Sequence, residues 1–288
     1  MAADAGGVQD DGFFGPDSVT WRLHTDPLVG PAGLRALLLQ ALHPLAMHVV
    51  ATRSRFKEET WGRLHRTGEY VDTTTFGSRQ EAERAAAVVR GIHARIRGTD
   101  PATGLEYGAD DEDLLLWIHC ALVESILDVV SRGRAPSQPL SSDDADRYVA
   151  EQVVSAELVG VRREVVPASR GDLDDYFTEV RPHLAVTREA REAASYIVAP
   201  PMAPRVVLTT PAVPVWLGVS GLAMASLPAW ARRMFALPEL ATAPTDAATT
   251  AGLRALRAAL LRSEGRVPGV EPSEHRKRAV ARMAGRAA

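Results

Sequence analysis

The sequence predicts an all-α fold class in a single domain, and three observations support that prediction. Alanine, leucine and arginine are abundant, and apolar residues recur with the period of an α-helix. Alternating runs of β-branched residues, which are typical of strands, are scarce. The chain has 288 residues, of which 46% are hydrophobic, so it is long and apolar enough to bury one sizeable core.

The first helices have clear boundary signals. Ser18 precedes residues 19–23 and predicts an N-cap, because its hydroxyl oxygen accepts a hydrogen bond from a free amide of the first turn. Residues 34–47 have an apolar helical pattern that Pro44 interrupts. Because proline lacks an amide hydrogen, we expect the helix to bend or restart at that point.

A long helix over residues 80–97 is predicted next. Ser78 and Glu81, three residues apart, have the pattern of a capping box at its start. Gly98 predicts its end, because glycine readily adopts the left-handed conformation that follows many helices.

The remaining helices follow from periodicity and local signals. Residues 114–130 form an apolar helix whose first turn is preceded by the acidic stretch 110–113, which suits the positive end of a helix dipole. Shorter helical patterns occupy residues 145–158, 173–181, 187–198 and 251–261. We expect a disordered leader over residues 1–16, the helical domain over residues 17–262 and a polar tail over residues 263–288.

One uncharged stretch, residues 206–231, raises the question of a membrane span. Only residues 215–227 form an uninterrupted apolar helix, and they fall short of the ~20 residues that a span requires. We expect a buried helix here. Shallow attachment to a lipid surface is the alternative.

Charge and cysteine content exclude several classes of function. The net charge of −3 and the pI of about 6.3 offer no basic surface for nucleic acid, and the short cluster Arg276, Lys277 and Arg278 is expected to be solvated. Cys120 is the single cysteine, so neither an internal disulfide nor an iron–sulfur cluster can form within one chain. The N-terminus has no secretory signal pattern, and we expect a cytoplasmic protein.

Common cofactor and metal motifs are missing from the sequence. There is no P-loop, no G-x-G-x-x-G after a strand and no H-E-x-x-H, which argues against nucleotide cofactors and zinc hydrolases. The paired E-x-x-H motifs of a di-iron helical bundle are also missing. The one pattern that favours a cofactor is a histidine set among arginines.

Two helical faces carry this pattern, each defined by spacings of three, four or seven residues. They are Arg63, Arg66 and Thr67 on one segment, and Arg90, His93 and Arg97 on the other. Turned toward each other, the faces would offer an imidazole for iron and guanidinium groups for haem propionates. The alternatives are an ordinary hydrogen-bonded histidine and arginines that are solvated or paired with Glu58, Glu59 or Glu69.

Three further histidines are weaker candidates. His43 and His48 are five residues apart and so point in different directions on a helix, which excludes a shared metal unless Pro44 changes the geometry. We expect His43 to form a hydrogen bond at the bend and His48 to reach the site. His119 lies on a strongly apolar helix and is expected to be a core histidine that orients a neighbour, with a direct site role as the alternative.

Five ordered motifs resemble one protein family from residue 21 to about residue 238. They are Q-A-L-H-P at 40–44, R-L-H-R-T at 63–67, T-F-G at 75–77, R-G-I-H-A-R-I-R-G at 90–98 and L-L-L-W-I-H at 114–119. The chain is similar in these motifs to the oxygenase family that includes the bacterial rubber oxygenases (latex-clearing proteins) and the MpaB-type oxygenases.

The resemblance implies a haem b enclosed between helices, with His93 as the proximal iron ligand. It places Arg63, Arg66 and Thr67 beside the haem, with Arg66 where some relatives have a lysine that ligates the iron. Because a guanidinium stays protonated, it is a poor ligand, so we expect an open or water-bound sixth position and a role for Arg66 in stabilising dioxygen or a propionate. The chain departs from the family at two positions. Relatives usually have a glycine near the position of His48 and a histidine near that of Arg53.

Three functions remain open at this point. The first is a haem b-dependent oxygenase that uses dioxygen to oxidise or cleave a double bond or an electron-rich ring of an apolar small organic molecule. The second is a haem protein without catalysis that carries haem or senses haem or a gas. The third is a helical protein that binds an apolar ligand without a metal.

Overall fold

A computed structural model describes residues 12–53, 60–100, 104, 106–237, 242–262 and 273–287. Within those residues the chain forms fourteen α-helices and one two-stranded sheet, which confirms the all-α fold class. The helices are α1 Val19–His24, α2 Val29–Gln40, α3 Pro44–Arg53, α4 Thr60–Phe76, α5 Arg79–His93, α6 Glu112–Gly133, α7 Ser142–Val159, α8 Arg170–Val180, α9 Arg188–Val198, α10 Pro204–Thr209, α11 Ala212–Ala225, α12 Ala229–Met234, α13 Thr242–Arg262 and α14 Glu274–Ala287. The strands are β1 Arg97–Thr99 and β2 Glu106–Gly108.

Several helices begin where their caps predict. The Ser18 hydroxyl accepts a hydrogen bond from the Trp21 amide at 3.0 Å, which confirms the N-cap of α1. Ser78 and Glu81 form the predicted capping box at the start of α5. These polar groups satisfy amides that the first turn of a helix leaves without a partner.

The predicted interruption at Pro44 is confirmed. α2 and α3 are separate helices whose axes differ in direction by 103°. The Ala46 amide donates to Nδ1 of His43 at 3.5 Å, so His43 forms the expected hydrogen bond at the bend. The bend takes α3, and His48 with it, away from the line of α2.

The core is built around α6, which packs most extensively against α2. Trp117 of α6 is fully buried, and its indole N–H donates to the Gln40 carbonyl at the end of α2 at 3.1 Å. Arg35 of α2 is also buried and pairs with the Glu124 carboxylate of α6, while its guanidinium donates to the Ser125 hydroxyl at 2.8 Å. The two helices are therefore joined by apolar packing and by a buried polar network.

The predicted end of the long helix is wrong by four residues. α5 ends at His93, and Arg97 and Gly98 belong to β1, where Gly98 pairs with Tyr107 of β2. A Cβ on Gly98 would lie 2.5 Å from the Tyr107 hydroxyl, so this glycine makes room for a ring rather than ending a helix. Pairing with a strand that lies farther along the chain overrides the local helical pattern.

The C-terminal segment departs from the sequence prediction as well. Arg276 of α14 is not solvated, because its Nε donates to the Asp72 carboxylate of α4 at 3.1 Å and both side chains are largely buried. The Ser273 hydroxyl donates to the same carboxylate at 2.7 Å. A buried carboxylate requires a cationic or hydrogen-bonding partner, and α14 supplies it.

The domain boundaries at residues 16 and 262 stay predictions. Residues 1–11 of the expected leader lie outside the described residues, but Phe13 packs against a small cluster formed by Ala82, Ala86 and Leu158. Of the expected tail, residues 263–272 lie outside the described part, and α14 is packed against α4.

Among the described residues, α6 is long and apolar enough to cross a membrane, and α2 with α3 would pass the same test as one sharply bent span. Most of α6 is buried by other helices, as in the core helix of a globular fold. α11 is apolar but shorter than a span.

Candidate functional site

α4 and α5 fold back on each other and bring residues of the two predicted faces close together. Gly77 and Ser78 form the short connection between the helices. Arg63, near the start of α4, thereby lies close enough to His93, the last residue of α5, to influence its ionisation. Tyr70 and Arg90 interact across the same pair of helices. The structure therefore brings Arg63 close to His93 and Tyr70 close to Arg90, whereas Arg97 lies in β1 rather than on the helical face predicted for it.

His93 has two unusual properties at the end of α5. Its ring atom Nδ1 is buried and has no hydrogen-bond partner, and it is the one side-chain nitrogen or oxygen of this kind within the described residues. Burial lowers the pKa of His93; Asp110 opposes the shift and the positive charge of Arg63 adds to it. The imidazole is thus held neutral at neutral pH, which is the form that ligates metals.

Positive charge is concentrated beside this imidazole. Burial lowers the pKa of Arg63, and the nearby guanidinium of Arg66 lowers it further. Arg66 lies along its own helix, with its Nη1 atom 3.2 Å from the position that a Cβ on Gly62 would occupy. Arg63 is partly buried and Arg66 is exposed, so the two guanidinium groups place positive charge beside His93. Glu58 and Glu59, which the sequence offered as alternative partners of these arginines, lie outside the described residues.

Arg90 and Arg97 have structural partners. Arg90 donates to the Leu158 carbonyl at the end of α7. Arg97 forms a bidentate pair with Asp110, at 2.7 and 3.0 Å, and also donates to the Ile96 carbonyl at 3.0 Å. These contacts fix the backbone that follows His93. Haem binding by Arg90 and Arg97 stays a prediction.

Thr67 and Arg66 lie on the exposed side of α4, one turn after Arg63. Their exposure leaves room for a bound group on this face. The catalytic roles assigned to them on sequence grounds also stay predictions.

His48 approaches the same region through a tyrosine. Its ring centroid lies 6.0 Å from that of Tyr107, with the ring planes at 73°. Tyr107 in turn covers Gly98, five residues after His93. The bend at Pro44 thus brings α3 to the hairpin that follows α5.

His119 and His43 occupy different surroundings. Burial lowers the pKa of His119 on α6 to about 4, and no hydrogen-bond partner of its ring is found in the described part of the chain. The expectation that His119 orients a neighbour through a hydrogen bond therefore has no support in those residues. The His43 ring lies 6.3 Å from the Trp117 ring, in the core beneath the bend.

Sequence reasoning missed three residues of this site. Tyr70 lies near Arg90, and burial raises its pKa to about 12 while Arg90 opposes the shift. Asp110, which follows the hairpin, acts electrostatically on His93, and Tyr107 of β2 contacts Gly98 and the His48 ring. Tyr70 follows Arg63 by seven residues, so helical spacing alone could have identified it.

The donor set can be tested against a haem. Within the described residues no group of three or more His, Cys, Asp or Glu side chains could hold a metal ion. A haem iron needs one or two protein ligands, because the porphyrin supplies four nitrogens. A neutral His93 with an unpartnered ring nitrogen, next to two guanidinium groups that suit propionate carboxylates, fits that requirement.

Comparison with known proteins identifies a matching family. The model of the family described as "ER-bound oxygenase mpaB/B'/Rubber oxygenase, catalytic domain" matches residues 21–262, which is well over half of the chain. No curated protein and no solved structure matches the chain. The matched range begins within α1 and runs to the end of α13, and it contains every candidate residue named above.

Proposed function

We propose that the chain, which belongs to the family of mpaB and rubber oxygenase catalytic domains, is a haem b-dependent oxygenase that acts on an apolar small organic molecule. Membership makes the chain an oxygenase catalytic domain, with an organic substrate and dioxygen as its reactants. The haem, the class of substrate and the roles of single residues are our proposal.

The observation that carries the proposal is the state of His93. Its Nδ1 atom is buried without a partner, at a free-energy cost of about 1–3 kcal/mol for an unsatisfied polar group. Burial also keeps the ring neutral. Both features suit a histidine whose ring coordinates a metal ion, and we propose that His93 is the ligand of the haem iron.

Arg63 and Arg66 would bind the propionates of the haem. Arg63 lies close enough to His93 to affect its ionisation, Arg66 lies beside Arg63, and a carboxylate accepts two parallel hydrogen bonds from one guanidinium. Arg90, Arg97 and His119 are the remaining proposed contacts. For Arg97 the supporting observation is indirect, since it pairs with Asp110 and thereby holds the turn that orients His93.

When bound, a haem supplies the activation of dioxygen and the oxidation of the organic substrate. The chain's own residues would orient the reactants and manage charge and protons. Arg66 would offer N–H donors and Thr67 a hydroxyl from the exposed side of α4, where negative charge develops during oxidation. His48, supported by the Tyr107 ring, would hold or release a proton at one of its ring nitrogens.

An apolar substrate is the class that the surroundings favour. α6 and α11 are strongly apolar, and α11 exposes part of its surface. The Trp216 ring of α11 lies 4.7 Å from the Trp61 ring of α4, two residues before Arg63, so apolar surface continues onto a helix of the candidate site. Apolar surface of this kind favours a terpenoid, polyene or aromatic compound over a sugar or phosphate ester. The proposed reaction is oxidation or cleavage at an alkene or electron-rich ring. A cytoplasmic location stays part of the proposal.

Turnover under isotopically labelled dioxygen tests this function. Haem-loaded protein with a reductant is incubated with a panel of alkenes, terpenoids and aromatic compounds, and the products are examined by mass spectrometry. We expect label in at least one product, and none with His93→Ala treated identically. Intact haem with no labelled product across the panel would instead support the alternative, a haem carrier or a sensor of haem or gas, which would need the same His93 and arginines.

A further inference from the structure

A cavity lies between α10, α11 and the loop that follows α9. Its volume is about 200 Å³, and all of the residues that line it are apolar, among them Met202, Val207, Val213, Trp216 and Leu217. Val207 and Leu217 are 47% and 45% exposed, so the cavity opens to solvent on one side. Water gains few hydrogen bonds against such walls, and an apolar molecule can displace it favourably.

The tryptophan in the wall of the cavity has its polar group satisfied. The N–H of Trp216 donates to the Ile197 carbonyl at 3.1 Å. The ring of Trp61 packs 4.7 Å from that of Trp216, and its own N–H donates to the Pro201 carbonyl at 3.0 Å. Because both donors already have acceptors, Trp216 can contact an apolar ligand without leaving a donor unpaired.

Prolines restrict the backbone around the cavity. Pro200 is buried in its wall, Pro204 is the first residue of α10, and Pro211 and Pro214 stand at the start of α11. Proline fixes the backbone angle φ, so the loop and the starts of both helices have little freedom to collapse into the cavity. A cavity that is formed in advance loses less conformational entropy when a ligand binds.

We propose that this cavity binds one compact apolar organic molecule of about ten carbon atoms, such as a monoterpene or a bicyclic aromatic hydrocarbon. An apolar cavity of ~150 Å³ holds a benzene molecule, and the larger volume here admits a second ring. A helix of a partner protein, ~10–12 Å across with its side chains, is too wide for a cavity of this volume. A long-chain molecule would leave most of its length in water.

The two tryptophans connect the cavity to the candidate site. A molecule in the cavity would contact Trp216, whose ring packs on Trp61 of α4, two residues before Arg63. As a substrate site, the cavity would select compact molecules over long-chain ones, and Met202, Trp216 and Leu217 would determine specificity. That role as a substrate site rests on the proposed function, whereas occupation of the cavity itself does not.

Equilibrium dialysis of the full chain against naphthalene, which has ten carbon atoms, tests the cavity. We expect one site per chain with a Kd on the order of 100 µM, because apolar contact alone supplies the affinity. Leu217→Trp fills part of the cavity and should raise the Kd more than ~10-fold. Val207→Phe, which narrows the cavity from α10, should raise it roughly fivefold and serves as the second variant if Leu217→Trp does not fold.

Matched variants distinguish a filled cavity from misfolding and from the haem proposal. Leu261→Trp introduces the same ring on α13, at a residue that is 54% exposed and outside the cavity, and should change the Kd by less than ~2-fold. Circular dichroism identifies the variants that are folded. His93→Ala should bind naphthalene like the original chain, so a failure of the haem assignment leaves this test intact.

Two results would overturn the proposal. One is that the original chain retains no naphthalene, or that it and the folded cavity variants retain it equally. The other is a dimer in analytical ultracentrifugation that naphthalene does not affect and that Leu217→Trp converts to a monomer, which would identify a second copy as the occupant of the cavity.

Discussion

Arg63 at the start of α4 and His93 at the end of α5 interact electrostatically across the pair of helices. Burial lowers the pKa of His93, and the positive charge of Arg63 lowers it further, against the opposing effect of Asp110. The neutral ring and the adjacent cation are the two features that a propionate-bearing, iron-containing cofactor requires.

Replacing Arg63 should therefore change His93. Arg63→Gln removes the positive charge, so we expect the pKa of His93 in the haem-free protein to rise toward its ordinary value while burial still holds it below that value. Titration of the imidazole by NMR measures the change. Arg84→Gln, on the exposed side of α5, is the control and should leave the His93 titration unaltered.

Arg66 yields a prediction about the sixth position of the iron. A guanidinium stays protonated and cannot ligate iron well, so ferric protein loaded with haem should be five-coordinate or water-bound and should take up cyanide readily. Electronic absorption with and without cyanide measures this. If a low-spin spectrum is present and persists in Arg66→Ala, another residue ligates the iron, and His48→Ala is the next variant to measure.

The stability of the fold should fall on acidification because of His24. Its ring is buried between the Thr75 hydroxyl at 3.0 Å and the Tyr148 hydroxyl at 3.1 Å. Burial, with a contribution from Arg276, lowers its pKa to about 3 from the ordinary value of 6.5. As the pH falls, His24 is protonated in the unfolded chain before it is protonated in the folded chain. The contribution of the neutral ring to stability is therefore fully present above about pH 6.5 and is lost as the pH falls toward about 3.

The expected loss from His24 between pH 7 and pH 5 is ~2 kcal/mol. Urea unfolding at the two pH values measures it. His24→Gln keeps hydrogen-bonding groups but does not titrate. Its free energy of unfolding should therefore fall by ~2 kcal/mol less than that of the original chain over the same pH interval. An identical pH dependence in the two proteins would show that His24 is not responsible.

The Arg35 pair should be a major determinant of stability. Arg35 is 1% exposed and joins α2 to Glu124 and Ser125 of α6. Arg35→Met leaves a carboxylate without its cation in a largely buried place, and we expect a loss of about 3 kcal/mol in urea unfolding. Arg188→Met breaks an exposed pair with Glu192 and should change stability little. Equal effects of the two substitutions would contradict the structural role of Arg35.

Features encoded within a few residues were predictable from the sequence. Ser78 and Glu81 cap α5 through hydrogen bonds three residues apart, and Pro44 interrupts a helix through its missing amide. Helical spacing also placed Arg63 and His93 on defined faces of their segments, whereas their approach depends on the packing of α4 against α5. Family membership followed from ordered motifs that cover the same part of the chain.

Features that depend on distant partners were not predictable in this way. Arg97 continues a helical pattern, yet it lies in a strand because β1 pairs with β2 and its guanidinium binds Asp110, thirteen residues away. Arg276 looks like a solvated tail residue, but it pairs with Asp72, 204 positions earlier in the chain. No local propensity reports such partners.

The absorption spectrum of the purified chain and of His93→Ala, with a pyridine haemochrome assay of both, tests the central claim most directly. We predict one b-type haem per chain in the original protein, and loss of the haem or a shifted Soret band in His93→Ala. A colourless original protein that takes up no added haem, or a His93→Ala variant with full haem occupancy and an unchanged spectrum, would contradict the assignment of His93 as the iron ligand.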